Sequence, residues 1–549
     1  MRRRQVLTMA GAAPLAGLGL QACTPAPEAS KRDALGRVPV RWVGANAERG
    51  HQLRDGFGQG KSSSLPPVAV QRQTGVLVVG GGVAGLSALH HLAQAGVDDA
   101  VLLELEDQVG GNSRGHSVGG LACPLGAHYL PVPGPAAIEV GAWLHDIGLL
   151  RSTAAGVVPN ERYLCHAPQE RLFIDGAWQD GLLPAADGRP ATQAQYRLFA
   201  RLVDGAQRRL GFNLPTHAGR FTADHAALDA QTFGVWLAAQ GVSDAHLLGY
   251  LDYACRDDYG AGIHTVSAWA GLHYFASRHG FHPPGDDSAE RDAVFTWPEG
   301  NAFLVRELAT PLQPRLQSGR TVLRVTAERQ GVQVLAFDHA ARQLEAWRAH
   351  TVVLATPLFI TQRLLQGAEA ALQQALAEAA AATRYAPWLV GNLLLRGPLQ
   401  ERVGAPAAWD NVVFAPAGGN AALGYVNAQH QSLRPDAGLT GPQLLTTYHA
   451  LPVAERASLL QQPAASWLAR IVADLQAVHP DLPEQLQQAE LMRWGHAMSI
   501  PVPGVRSQAA RTALRQARGR IRFAHADLAG YSVFEEAFTL GAVSTRQIR

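Results

Sequence analysis

The stretch GVLVVGGGVAGLSALHHLAQAG, Gly75 to Gly96, limits the folds open to this chain more than any other. The run GVLVV has the continuous apolar character of a buried parallel strand. A glycine-rich turn ends it, and AGLSALHHLAQAG follows with apolar residues at helical spacing and a closing glycine. Gly80, Gly82 and Gly85 therefore occupy a strand-turn-helix. In that setting they allow a tight turn, close backbone approach to a pyrophosphate and close packing of helix on strand, with the helix N-terminus turned to the phosphates. A second apolar run, AVLLLELE, ends in acid. Glu104 lies 24 residues after Gly80, the place of a carboxylate that hydrogen-bonds a ribose hydroxyl, and Glu106 is the weaker candidate. The pattern points to a bound dinucleotide.

With 549 residues, 47% of them hydrophobic and 17% charged, the chain has the make-up of a soluble globular protein of two or more domains. A net charge of +2, and no basic run interleaved with aromatics after the N-terminus, argue against a nucleic-acid partner. Lysine occurs only at Lys31 and Lys61, which excludes any mechanism that needs a catalytic lysine in the folded body. The 21 histidines form no compact ligand pattern, so no metal site is expected.

Residues 1–23, MRRRQVLTMAGAAPLAGLGLQAC, combine a basic start with an apolar run too short to span a bilayer. Arg3-Arg4 resembles a twin-arginine export signal, and Leu20 to Cys23 resembles a lipobox with lipid on Cys23. The expectation is an exported, periplasmic, lipid-anchored protein; a disordered basic N-terminus is the alternative. Residues 24–74, with GFGQGKSSSLPP, have the composition of a tether. Of the cysteines left, Cys123, Cys165 and Cys255, at most one pair forms.

Downstream, LEDQVGGNSRG places Gly110 six residues after Glu104 and Gly111 beside it. Here the chain resembles the flavin-containing amine oxidoreductase family, with Asn112 in place of the usual Arg and Arg114 nearby. GAHYLP (Gly126 to Pro131) and WPEGNAFLVRELA (Trp297 to Ala309, Asn301 for a second Gly) are similar to later segments of that family, as are the strands in RTVLRVTAERQGVQVLAF and AHTVVLATP. IRFAHADLAGYSVFEEAFTLGAVSTRQI resembles its closing motif. The resemblance implies FAD, held at Gly80, Gly82, Ala84 and Gly85, by Glu104, at Gly110, Gly111, Asn112 and Arg114, with Val322 on the adenine side. Asp527 would serve the ribityl and diphosphate. A helix starting near Ser532, with Val533 and Phe534, would point at the flavin edge that turns negative on reduction. It also implies an α/β fold, a Rossmann-like FAD-binding domain of the amine-oxidase (GR2) type with a discontinuous α+β substrate domain. FAD-binding parts are expected at 75–134, 295–374 and 501–549, and substrate parts at 135–294 and 375–500.

Within the substrate parts, QERLFIDGAWQDG carries a hairpin signal at Asp175-Gly176. LDYACRDDYG sets Asp252, Asp257 and Asp258 beside Tyr253 and Tyr259. Facing a flavin cavity these would hold a cationic amine, with Asp258 the candidate; alternatively Asp257 and Asp258 cap the next helix and pair with Arg256. In LMRWGHAMSIPVPG, similar to the segment over the flavin's substrate face, Trp494 is the candidate aromatic wall and His496 the titratable candidate, although a lone histidine is more often structural. No cysteine stands there, so FAD is expected to be non-covalent. APWLVGNLLLRGP resembles the place where many amine oxidases of this family keep a lysine that holds a water at flavin N5. It offers Val390, Gly391 and Asn392 instead. The expected activity is oxidation of an amine, polyamines favoured, by hydride transfer to flavin N5, with a quinone or cytochrome as acceptor. The alternatives are desaturation or oxidation of an apolar polyene or porphyrinogen, and a flavin-binding module without turnover. For the export reading, Arg3→Lys with Arg4→Lys should leave precursor in the cytoplasm, whereas Cys23→Ala should be exported without lipid; fractionation and lipid labelling check both.

Overall fold

In the computed structural model, which describes residues 35–55, 66–154, 156–283, 293–432 and 441–548, Gly75–Val79 ends a long strand, Val68–Val79. Its parallel neighbours are Ala100–Leu103 on one side and Gln343–Leu354 on the other. Leu316–Gln317 and Ile521–Phe523 continue the parallel order outward. Val76 to Val79 are at most 3% exposed, because a parallel sheet is covered on both faces; hence the unbroken apolar run. Arg320–Glu328, Gly331–Asp338 and Gln343–Leu354 form an antiparallel meander that extends this sheet.

Helix Val83–Gln94 buries Leu86, Leu89 and Leu92 and crosses helix Phe534–Thr545 at close range. Ser87 Oγ donates to the Phe538 carbonyl at 2.6 Å, and a Cβ at Gly541 would lie 2.3 Å from the Ala84 carbonyl oxygen. Only glycine permits that approach, and it brings the N-termini of both helices to one cavity.

A second, mostly antiparallel sheet has eight strands in the order Val40–Trp42, Leu486–Ile500, Arg384–Leu395, Gln443–Ala450, Ala422–Asn427, Asp410–Val413, Glu170–Ile174, Ala177–Asp180. Helices Pro190–Leu210, Ala245–Tyr259 and Ala268–Ala276 share a core with it. The Asp175-Gly176 hairpin is present, with φ of 52° and 85°, the left-handed pair a two-residue turn requires. On the strand Glu170–Ile174, Arg171 is 1% exposed. It bonds Asn411 at 2.5 Å and Glu401 at 2.8 Å, and lies 3.9 Å over the Trp178 ring, so its charge is met on several sides.

Two expectations need correction. Residues 35–55 are not tether: Val40–Trp42 pairs in parallel with Ala489–Leu491, and Ala47–Asp55 is a helix. A three-residue strand carries little signal of its own, and this one is defined by a partner some 449 positions away. Helix Ile138–Asp146, expected in the substrate part, packs instead on the dinucleotide side, where Trp143 stacks on Phe538 with ring centroids 5.1 Å apart. Cys123, Cys165 and Cys255 are all free. Among the described residues no helix is long and apolar enough to cross a membrane, and no group of His, Cys, Asp and Glu could hold a metal. The export signal and Cys23 lie outside the described residues.

Candidate active site

A cavity of about 460 Å³ is lined by residues of both sheets. At its nucleotide end the wall carries Gly80, Gly82, Ala84, Glu104, Gly110, Gly111 and Val322. Gly80 has a φ of 103°, and a Cβ at Gly85 would stand 1.9 Å from the Gly80 carbonyl oxygen, so the helix can begin against the turn only without a side chain there. Gly85 is therefore a packing residue behind the wall. The Glu104 carboxylate accepts from Gly81 N at 2.6 Å and from Glu106 N at 2.8 Å. Burial raises its pKa, while those donors and Arg114 pull the other way. Glu106 is turned off the wall and accepts from Asn46 N at 3.0 and 3.1 Å, whereas Glu104 is on the wall.

At the other end, Gly126 to Pro131 forms part of the wall and is braced from behind. Asn301 donates from Nδ2 to the Tyr129 carbonyl at 3.0 Å, Trp494 Nε1 to Leu125 O at 2.7 Å, and Tyr448 OH to Gly126 O at 3.1 Å. Asn112, also on the wall, bonds Ala497 O at 2.5 Å. Arg114 is not on the wall. Its guanidinium bonds Gly111 O at 3.2 Å and Gly44 O at 2.7 Å and lies 5.4 Å over the Trp494 ring, so it positions the wall from behind and does not contact a cofactor there.

Asp527 reaches the cavity and is 0% exposed. Its Oδ2 accepts from Leu358 N at 3.0 Å and from Tyr385 OH; its Oδ1 lies 3.3 Å from His525 Nδ1. Burial alone would raise its pKa, but His525 and the donors hold it down to about 2, so it is a carboxylate with His525 beside one oxygen. Helix Phe534–Thr545 begins beside it with Ser532, Val533, Phe534 and Glu535 on the wall. A glycine turn, a buried acid after the neighbouring strand and a carboxylate beside the start of helix Phe534–Thr545 fit the diphosphate, ribose and ribityl groups of FAD.

The reacting end carries Asp257, one of the acids of LDYACRDDYG, together with groups the sequence did not single out: His128, Tyr129, Arg278, Trp388 and Tyr448. His128 stacks on Tyr448 at 4.4 Å, and burial lowers its pKa to about 3, leaving it neutral. Asp258 is on the wall but is paired with Arg278 at 3.2 Å. The neighbouring Asp257 is the freer acid, accepting from Tyr129 OH at 3.1 Å, and burial followed by the nearby Asp258 raises its pKa to about 6. Neither caps a following helix or pairs with Arg256; Asp252 bonds Arg256 at 3.1 Å and accepts from Ile263 N at 3.0 Å, and Ser267 caps helix Ala268–Ala276. His496 is on the wall, tilted on Phe359 at 4.6 Å, its pKa lowered to about 4 by burial and then by Arg456 and Arg363. Asn392 does not face the cavity. It is closed off between the Pro124 carbonyl at 3.0 Å and Thr446 Oγ1 at 2.7 Å, and Tyr385, Trp388 and Val390 are the residues of that strand on the wall. GAHYLP held the signal for His128 and Tyr129. Tyr448, Trp388 and Arg278 come from segments whose meeting only the fold decides.

The class defined by this fold and site is an FAD-dependent oxidoreductase. A family model for flavin containing amine oxidoreductases matches residues 83–548, and the chain belongs to that family, whose cofactor is FAD. Short stretches also match curated proteins: 39% identity over 66 residues with Protein anon-37Cs of Drosophila melanogaster, and 32% over 85 residues with the mitochondrial dimethylglycine dehydrogenase of Rattus norvegicus. These stretches cover 12% and 16% of this chain and only 13% and 10% of those proteins. Among solved structures, a putrescine oxidase bound to putrescine superposes with a TM-score of 0.63 at 17% identity, covering 86% of this chain and 98% of that one. Cyclohexylamine oxidase from Brevibacterium oxydans gives 0.60 at 15%, over 86% and 98% of the two chains. A fatty acid isomerase from P. acnes gives 0.57 at 15%, over 85% and 97%. At these identities the likeness is one of fold.

Glu104→Ala should remove ribose hydrogen bonds worth about 1.5 to 3 kcal/mol each and weaken FAD binding roughly tenfold or more, as read by titration of the apoprotein with FAD. Unchanged affinity would assign the ribose to another acid.

Proposed function

We propose that this protein oxidises an amine, a diamine or polyamine being the favoured substrate, and releases an imine that water hydrolyses. The observation that carries the reading is the Asp257–Tyr129 pair set in an aromatic wall on the FAD cavity. FAD supplies the acceptor for the hydride that leaves the carbon next to nitrogen. The protein's part is to hold the amine and keep water away. Asp257 offers a carboxylate to an ammonium group, and Tyr129, Trp388, Tyr448 and Trp494 offer ring faces to the cation and its methylene chain. His128 and His496 stay neutral at pH 7, so they add no repelling charge. The cations on the wall are already engaged, Arg278 with Asp258 and Arg320 with Asp338 at 2.8 Å. The fold shared with a putrescine oxidase supports the same substrate class.

Anaerobic mixing with putrescine, spermidine, a monoamine, an apolar polyene and a porphyrinogen separates the readings. Bleaching of the flavin by the diamine or polyamine is expected. Bleaching by the polyene or porphyrinogen alone would establish desaturation instead, and no bleaching at all a binding module. Asp257 titrates at about 6, facing Tyr129, Asp258 and Arg278, with Asp410 and Tyr253 beyond. It is charged above that pH, so KM for a diamine should rise as pH falls through 6. Asp257→Asn should flatten that step and raise the diamine KM by roughly 10- to 100-fold, the worth of one charged hydrogen bond. An unaltered pH profile would remove Asp257 from substrate binding.

The proposal extends to the electron acceptor, a membrane quinone or a cytochrome, within reach of an exported protein tethered by lipid at Cys23. The sequence supports it by having no lysine beyond Lys61, and the strand expected to carry one presents Val390 to the cavity, so no ammonium stands there to stabilise superoxide. Reduced protein should reoxidise slowly in air-saturated buffer and quickly with a soluble quinone; fast reoxidation by oxygen alone overturns this part.

A further inference from the structure

The family match begins at Val83, yet the described chain ahead of it reaches the cavity. We propose that residues 43–51 form a wall of the adenosine end of the FAD site and hold the cofactor in. Val40–Trp42 anchors this segment to the substrate sheet, with Arg41 bonded to Glu490 at 2.7 and 3.1 Å and Val43 N to Leu491 O at 2.9 Å. Gly44 turns the chain at a φ of 87°, where a Cβ would sit 2.7 Å from Met492 Sδ, and its carbonyl accepts from Arg114 at 2.7 Å. From there the segment crosses to the dinucleotide sheet. Asn46 N donates to Glu106, and Arg49 donates to Leu105 O at 3.0 Å and to Asp107 at 2.7 Å. Leu105, Glu106 and Asp107 directly follow the ribose acid Glu104. Gly50, next along the helix Ala47–Asp55, lies on the cavity wall, and a Cβ there would meet nothing within 4 Å.

The segment thus bonds both domains and, through three consecutive residues, the loop that carries Glu104. FAD leaves by this end only if that loop or the segment moves, so Arg49 is a positioning residue that acts through Leu105 and Asp107. The inference rests on FAD binding and is independent of what is oxidised.

The test uses the full-length holoprotein. Hydrogen exchange of the wild type with and without FAD should show protection of amides 43–51 on loading. FAD release, followed by flavin fluorescence after dilution of the holoprotein, should be about tenfold faster in Arg49→Ala, with Arg49→Lys intermediate, because about 1.4 kcal/mol of hydrogen bonding is lost. Gly50→Phe fills open space, so it should leave the unfolding temperature of the apoprotein unchanged while weakening FAD binding. Exchange that is indifferent to FAD, together with release rates within twofold of wild type, would overturn the inference and leave the segment as an interdomain staple.

Discussion

The carboxylate of Glu104, bonded at 2.6 Å to Gly81 N in the glycine turn, is the contact on which the rest of the site depends. It joins the ends of two neighbouring parallel strands. With it in place, the turn, the start of helix Val83–Gln94 and the loop Leu105–Asp107 form one unit. Without an acid at this position a buried amide would lose its acceptor, at a cost of about 1 to 3 kcal/mol. The close crossing at Gly541 then sets helix Phe534–Thr545 against the same unit, which is how a residue as distant as Asp527 comes to face the same cavity.

Charge inside the cavity is arranged by pairing. Arg278 neutralises Asp258, His525 and several donors stabilise Asp527, and His128 and His496 are kept neutral by burial. Two acids are left near the point of titration: Asp257 at about 6, and Glu535, which burial brings to about 7 although Arg278 opposes the shift. Negative charge on this wall therefore grows across the neutral range, which suits the cationic substrate proposed above better than an anion or an apolar chain. The surrounding rings give such a cation a surface that costs little desolvation.

Much of the dinucleotide half was legible before any coordinates. The strand, the turn and Glu104 are local in sequence, and each residue type is demanded by backbone geometry or by the charge of a hydroxyl partner. The same holds for the Asp175-Gly176 hairpin, whereas Trp494 on the cavity wall is expected from the family resemblance of its segment. Where the reading failed, the deciding partner lay far away. Asn392 shares a strand with the wall residue Val390 but is capped by Pro124, and Arg114 was drawn to the Gly44 carbonyl of a segment that composition marked as tether.

The sequence by itself determined that the chain holds a dinucleotide in a strand-turn-helix and that its body lacks lysine, because such properties are carried by residues close in sequence or by composition. Only the tertiary structure decided which acid is free. Asp257 and Asp258 are adjacent on one helix and chemically identical, and Arg278, twenty positions beyond Asp258, engages that one while Asp257 meets a tyrosine hydroxyl. Ionisation of a buried carboxyl depends on the charges and donors around it, and those arrive from other elements when the chain folds.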